Sequence, residues 1–188
     1  MMLNDDDDQV QPNQNVRMLQ LENEFLRYNL DILGVSEARW LSSGTVKTPF
    51  SNTVFLYSGK DDAADKPASV GFLMTPRAHS CLISWEPISE RLITARCRSK
   101  VRNITLIQCY GPTEKSSVNA KDDFYNLLAA TYNKAPHGDT IVMGDLNAKV
   151  GADRTTLEHV LGNQDIGLCN DNGERFVHTS LELDRLGR

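Results

Sequence analysis

Three polar side chains stand directly after short apolar runs. They are Glu37 after Ile32-Leu33-Gly34-Val35, Tyr110 after residues 104–109, and Asp145, with Asn147 two residues on, after residues 141–144. A strand end is rigid, and the loop that follows it opens onto the rim of a sheet, where a site can be assembled from distant sequence. Two carboxylates meeting there make a hard-oxygen site suited to Mg²⁺ or Mn²⁺, and a nearby phenol and amide can hold a phosphate. Each residue alone also has an ordinary explanation: Glu37 as a surface or capping residue, Tyr110 as half-buried packing, and Gly144-Asp145-Leu146-Asn147 as a turn.

Other candidates are weaker. Arg96, Arg98, Lys100 and Arg102 cluster where a hairpin is expected; they can touch phosphates, but a solvated hairpin edge is their ordinary reading. His79, His137 and His159 show no metal-ligand spacing, and Trp40 and Trp85 lack the aromatic neighbours of a base-stacking platform. The four cysteines, Cys81, Cys97, Cys109 and Cys169, form no C-x-x-C pair. Cys97 and Cys109 lie in strand-like runs, where a reduced cysteine acts as a small apolar residue, so no disulfide is expected.

These residues need a scaffold, and 188 residues with 40% hydrophobic content suffice for one domain with a substantial core. The net charge is −5, from 20 basic and 25 acidic residues; leaving out Asp5 to Asp8 gives 20 against 21, or −1. A near-neutral body lacks the basic field of a non-specific DNA coat protein. No apolar run approaches the roughly 20 residues of a membrane span, so no membrane association is expected. The start, Met1-Met2-Leu3-Asn4 and then four aspartates, has neither the basic nor the apolar part of a signal peptide. An intracellular protein, nuclear or cytoplasmic and not secreted, is expected.

Residues 1–14 read as a disordered acidic tail and residues 15–188 as one domain. Leu21, Phe25 and Tyr28 predict a short amphipathic helix over 19–28, followed by a buried strand running into Glu37. Residues 41–53 read as loop. Further strands are predicted at 53–57, 70–74, 92–98, 103–110 and 140–144, with a polar excursion at 59–67. The strands at 92–98 and 103–110 should form a hairpin, with Ile104, Leu106 and Gln108 facing one way and Thr105, Ile107 and Cys109 the other. Phe124, Leu127, Leu128 and Tyr132 predict a helix over 120–134. Beyond Gly151 the pattern weakens, and residues after Gly162 are expected to be poorly packed. Hairpins with interspersed helices indicate an α/β (α+β) sandwich with mixed sheets.

Three stretches also carry a resemblance. Asp31-Ile32-Leu33-Gly34-Val35-Ser36-Glu37, Gln108-Cys109-Tyr110-Gly111-Pro112-Thr113 and Met143-Gly144-Asp145-Leu146-Asn147-Ala148 resemble, in order and separation, the glutamate, tyrosine and GDLNA motifs of the endonuclease/exonuclease/phosphatase superfamily. Alanine more often stands at the position of Gly111. Lys149-Val150-Gly151 and Asn172-Gly173-Glu174-Arg175 are similar to the endonuclease domains of non-LTR retrotransposons and their craniofacial development protein 2-like relatives.

The resemblance implies a deoxyribonuclease I-like fold, a four-layer sandwich of two mixed β-sheets flanked by helices. It implies Mg²⁺ or Mn²⁺ as cofactor and DNA as partner. It makes Glu37 the main metal ligand. Asp145 would hold the metal and position or deprotonate the attacking water, Asn147 would hold that aspartate and the phosphate, and Tyr110 would contact the scissile phosphate. Two departures stand out. The first motif matches only from Asn15 onward; Asn15 would be a metal ligand, its alternative being an N-cap or loop residue. The late strand with its Asp and the final Ser-Asp-His motif are not found: Asp184 lies in Leu183-Asp184-Arg185 and His178 in Val177-His178-Thr179. The resemblance thus covers a domain truncated at its C-terminus. The expected function is a metal-dependent DNA endonuclease domain, derived from a non-LTR retrotransposon and inactive or impaired as this chain. The alternatives are a same-fold phosphatase acting on inositol or lipid phosphates, and a non-catalytic remnant or binding module.

Overall fold

The runs Val54–Ser58 and Val70–Met74 are buried at every position. Strands apolar on both faces have to be covered on both faces, and this sets the layering. The computed structural model describes residues 12–48, 51–60, 68–151 and 167–186. In chain order the elements are α1 (Pro12–Arg27), β1 (Ile32–Val35), β2 (Ser43–Lys47), β3 (Val54–Ser58), β4 (Val70–Met74), α2 (Pro76–Ser80), β5 (Leu82–Ser89), β6 (Leu92–Cys97), β7 (Ile104–Tyr110), α3 (Val118–Lys134), β8 (Asp139–Asp145) and α4 (Asp171–Leu186). One sheet, ordered β1-β4-β3-β2, is antiparallel throughout; the other, ordered β5-β6-β7-β8, is mixed, because β7 and β8 run parallel. A parallel pair needs a crossover, and α3 supplies it.

Side-chain alternation then builds four layers. Leu56, Phe72 and Met74 of the first sheet meet Ile93, Ala95 and Leu106 of the second in the central core. The outer face of the first sheet presents Phe55, Tyr57 and Leu73 to Phe25 of α1 and to Trp40. The outer face of the second presents Leu92, Ile107 and Cys109 to Phe124, Tyr125 and Leu128 of α3. Fully burying an aromatic such as Phe25, which has no exposed surface, stabilises by roughly 1.5–3 kcal/mol. The β6–β7 hairpin has the expected alternation: Leu106 packs centrally, and Ile107 and Cys109 pack on α3.

Four segments differ from the expectations. First, α1 starts at Pro12, so Asn15 lies in its first turn rather than after a strand; its side chain lies outside the described residues, as does the expected tail up to residue 11. Second, β2 occupies part of the expected loop. It is the outermost strand, with alternate residues exposed, so little apolar content was needed. Third, β5 tolerates Pro87 because it too is an edge strand, with register shifts at both ends. Fourth, the segment expected to be poorly packed contains α4, whose Phe176 joins the α3 core and whose Thr179 and Asn172 are buried.

Polar contacts fix the helices. In α1, Glu22 is buried and accepts hydrogen bonds from Thr48 Oγ1 (2.6 Å), Thr53 Oγ1 (3.2 Å), and the amide (3.1 Å) and hydroxyl of Ser51. Burial pushes its carboxyl up, but these hydrogen bonds outweigh burial and hold it below the usual glutamate value. At the other side of the molecule, Lys121 of α3 reaches Asp171 of α4 at 2.9 Å, and Arg175 pairs with Asp171 and Asp122.

Two predictions follow from this packing. Gly34 of β1 has Gln108 lying against it, and a Cβ there would overlap Gln108 Oε1 and touch Met143 Cε at 3.0 Å. Gly34→Ala should therefore destabilise by about 1–3 kcal/mol in urea unfolding, and the loss should shrink in a Gln108→Ala background. For α4, the hydrogen bond from Lys121 holds the Asp171 carboxyl below the usual aspartate value. A lowered folded pKa gives a contribution complete above the unfolded value of about 3.9 and lost as pH falls through the folded one. Stability should thus be insensitive to this pair near neutrality and decline below about pH 4, and Asp171→Asn should flatten that decline in urea midpoints measured from pH 2.5 to 6.

Candidate active site at the strand ends

β7 and β8 run parallel, so their C-terminal ends lie on the same rim, with Tyr110 paired to Asp145. Tyr110 is buried in the core between the sheets, and its hydroxyl donates a 2.5 Å hydrogen bond to Glu37 Oε1 at the exit of β1. Glu37, Tyr110 and Asp145 are thereby gathered from three strands and both sheets. Two residues back along β7, Gln108 Nε2 donates to Ser36 Oγ, next to Glu37, at 3.0 Å, a second polar tie across the sheets.

The backbone at these exits is unusual. Glu37 has φ 54°, Arg39 φ 58° and Asn147 φ 50°. Non-glycine residues rarely adopt the left-handed region, and strained positions of this kind persist only where the surroundings hold them. At Asn147 the holding contacts are explicit. Its amide N–H donates to Asp145 Oδ1 at 2.9 Å, closing a turn around the aspartate, and its Nδ2 donates to Gly111 O at 2.9 Å. Gly111 N donates in turn to Asp145 O at 2.7 Å. A Cβ at Gly111 would lie 2.5 Å from Leu146 O and 2.8 Å from its carbonyl carbon. The alanine common at this position elsewhere would force the two loops apart, which accounts for the glycine here.

The hydrogen bond to Glu37, then burial and the Glu37 charge, push the Tyr110 phenol above its ordinary value, against smaller opposing effects of Asn147 and Arg91. Tyr110 therefore stays a proton donor at neutral pH. Burial, with the Asp145 charge, pushes the Cys109 thiol up to about 12, so it is inert packing rather than a nucleophile. Arg39 approaches Glu37 at 3.7 Å. Arg91 was not singled out from sequence. It donates to the carbonyls of Tyr110 (3.2 Å) and Gly111 (3.3 Å), and its guanidinium lies 5.2 Å from the centre of the Tyr110 ring. An arginine at a strand turn has no local signal, since its partners lie nearly twenty residues away in sequence.

Glu37 and Asp145 are the residues that could hold a hard divalent cation. Glu37 and Asp145 supply carboxylate oxygens at one rim, while among the described residues no group of three His, Cys, Asp or Glu could cage a metal. Mg²⁺ is held in this sparse way, by one or two carboxylates with water or substrate phosphate completing the shell. Other candidates lie elsewhere. His178 is exposed on α4 beside Glu182 at 3.7 Å, and Asp184 is on the same helix with its side chain outside the described residues. Arg98, Lys100 and Arg102 lie in the β6–β7 connection, before the start of β7, whose Tyr110 end is six residues and roughly 20 Å further on. Arg96 is committed to Thr105 and to the carbonyls of Pro136 and His137. Cys81, Cys97 and Cys109 form no disulfide, and no described helix is long and apolar enough to cross a membrane.

No protein-family profile matches the chain. Craniofacial development protein 2 of Bos taurus is 28% identical over 158 residues, and that of Tragulus javanicus 27% over the same length. Either alignment takes in 84% of this chain and 26% of the relative, so the chain spans about a quarter of the length of the curated relatives it matches. Among solved structures, the endonuclease domain of TRAS1, a telomere-specific non-LTR retrotransposon, superposes with a TM-score of 0.56 at 15% identity, over 88% of this chain and 65% of that one. D. rerio TDP2 complexed with single-strand DNA product gives 0.50 at 14% identity, over 74% of this chain and 56% of that one. The chain therefore shares the fold of the TRAS1 endonuclease domain and of TDP2, and is similar in sequence to craniofacial development protein 2.

Proposed function

We propose that the rim formed by Glu37, Tyr110, Asp145 and Asn147 is a divalent-metal-dependent phosphodiesterase site of the endonuclease type, with DNA as its substrate and a retrotransposon endonuclease as its origin. The observation that carries this reading is the 2.5 Å contact of Tyr110 with Glu37 at the residue that pairs with Asp145. It joins a phenol and two carboxylates contributed by three strands. Glu37 and Asp145 would hold Mg²⁺ or Mn²⁺, which when bound offsets the negative charge that builds on phosphate and leaving oxygen. Asp145, with Oδ1 oriented by the Asn147 amide, accepts the proton of the attacking water. Tyr110, kept protonated, has one O–H, which would turn from Glu37 to a phosphate oxygen when a cation takes that carboxylate, and the Asn147 side chain steadies the same loop through Gly111. The DNA assignment leans on the retrotransposon endonuclease and the DNA-product complex among the structural neighbours. The proposed place of this work is inside the cell.

These 188 residues on their own should turn over poorly. The late Asp and the Ser-Asp-His motif do not occur in them, and His178 lies exposed on α4. Removing one acid, base or charge-stabilising group commonly costs about 10²–10⁴-fold in rate. The experiment is to incubate the purified chain with supercoiled plasmid in Mg²⁺ or Mn²⁺ beside a Glu37→Ala, Asp145→Ala double variant, and to measure Mn²⁺ binding of both by electron paramagnetic resonance. Mn²⁺ should bind the parent chain and not the double variant, with nicking by the parent no faster than the variant's. Nicking well above the variant would overturn the impairment, and equal Mn²⁺ binding by both proteins would overturn the metal site.

A further inference from the structure

We infer that Asn170 and Asn172, at the start of α4, are positioning residues for the Asp145–Asn147 loop; the inference rests on reading Glu37 and Asp145 as the cation site. Asn172 is fully buried. Its Nδ2 donates to Pro112 O at 2.7 Å and to Asn147 O at 3.4 Å. One amide therefore bridges the loop leaving Tyr110 and the loop carrying Asp145. Its Oδ1 is buried without a partner among the described residues. A side chain present only for packing would be apolar here, since an unpaired buried acceptor costs free energy. What the amide provides in exchange is the pair of donated bonds.

Asn170 acts on the same carbonyl. Its Nδ2 donates to Asn147 O at 3.0 Å, while its Oδ1 accepts from Lys149 N at 2.9 Å and from Gly173 N at 2.8 Å. It thus caps α4 and grips the loop at once. Gly173 allows the approach: a Cβ there would overlap Lys149 O and lie 2.7 Å from its carbonyl carbon. The Asn147 carbonyl is therefore held by two side-chain amides, its left-handed φ is maintained, and its own amide N–H is directed at Asp145 Oδ1. Helix α4 in this way sets the aspartate through one residue, Asn147, whose carbonyl it holds and whose amide N–H reaches Asp145.

The test uses the whole chain, with Mn²⁺ as the probe. Asn172→Ala and Asn170→Ser are each measured alone and in an Asp145→Ala background. Serine keeps an N-cap oxygen and loses the amide nitrogen that reaches Asn147 O, so Asn170→Ser separates gripping the loop from capping the helix. Groups that orient a metal ligand typically contribute 10–100-fold to affinity, so Asn172→Ala should weaken Mn²⁺ binding about ten-fold and Asn170→Ser by a few-fold. Both effects should vanish once Asp145 is alanine. In the metal-free chain, hydrogen exchange of the Asn147 amide should quicken in both variants while that of Ile107, in the core, does not. An equal loss of affinity in both backgrounds, or unchanged affinity in the parent background, overturns the inference. If the parent chain binds no Mn²⁺, the cation-site reading has failed. The exchange of the Asn147 amide then decides: selective quickening upholds the grip, and unchanged exchange overturns it.

Discussion

The parallel pairing of β7 with β8 organises the rest of the molecule. In an antiparallel pair the end of one strand meets the start of the other, and two chemistry-bearing exits cannot share a rim. Running parallel, β7 and β8 deliver Tyr110 and Asp145 side by side. The pairing also demands the α3 crossover, whose Phe124, Tyr125 and Leu128 cover the face of β7 that carries Ile107 and Cys109. The other face of β7 fills the space between the sheets, which is why Tyr110 can reach Glu37. Packing and site geometry are thus two consequences of one strand arrangement.

Polar groups complete what apolar packing leaves open. Hydrophobic burial is non-directional and would tolerate some sliding of one sheet over the other. The bonds Gln108–Ser36 and Tyr110–Glu37 are directional and occur at consecutive levels of the interface. They have a cost, since Gln108 Oε1 is buried and unpartnered, a deficit of about 1–3 kcal/mol for a typical group. Gly34 makes the arrangement sterically feasible. The opposite wall is treated similarly. The Lys121–Asp171–Arg175 cluster docks α4 on α3, and Tyr125 donates to Asn172 O at 2.9 Å, so the helix that supports the Asp145 loop is itself tied to the crossover helix.

The left-handed residues mark where the fold departs from local preference. Glu37 and Asn147 follow strands and precede loops, so the chain must turn sharply within one residue to present side chains at the rim. Asparagine adopts that conformation with least strain, glutamate with more. Both are retained by contacts from other parts of the chain: Tyr110 for Glu37, and Gly111, Asn170 and Asn172 for the Asn147 loop.

Read alone, the sequence determined the elements whose signal is local. Apolar runs marked β3, β4, β6, β7 and β8, the stripe of Phe124, Leu127 and Leu128 marked α3, and carboxylates at strand ends marked Glu37 and Asp145. The three motifs carried the fold. Where the signal is not local, tertiary structure decided. Edge strands β2 and β5 escaped notice because a strand with one neighbour needs neither apolar continuity nor freedom from proline. Helix α4 was not read from the sequence: half of the stripe it turns inward, Phe176, Thr179, Ser180 and Leu183, is polar, and its burial depends on the neighbouring α3. Arg91, Asn170 and Asn172 were invisible as site residues because each works through carbonyls 19 to 60 residues away. A backbone carbonyl leaves no trace in composition or periodicity, and only the folded chain shows which side chain it meets.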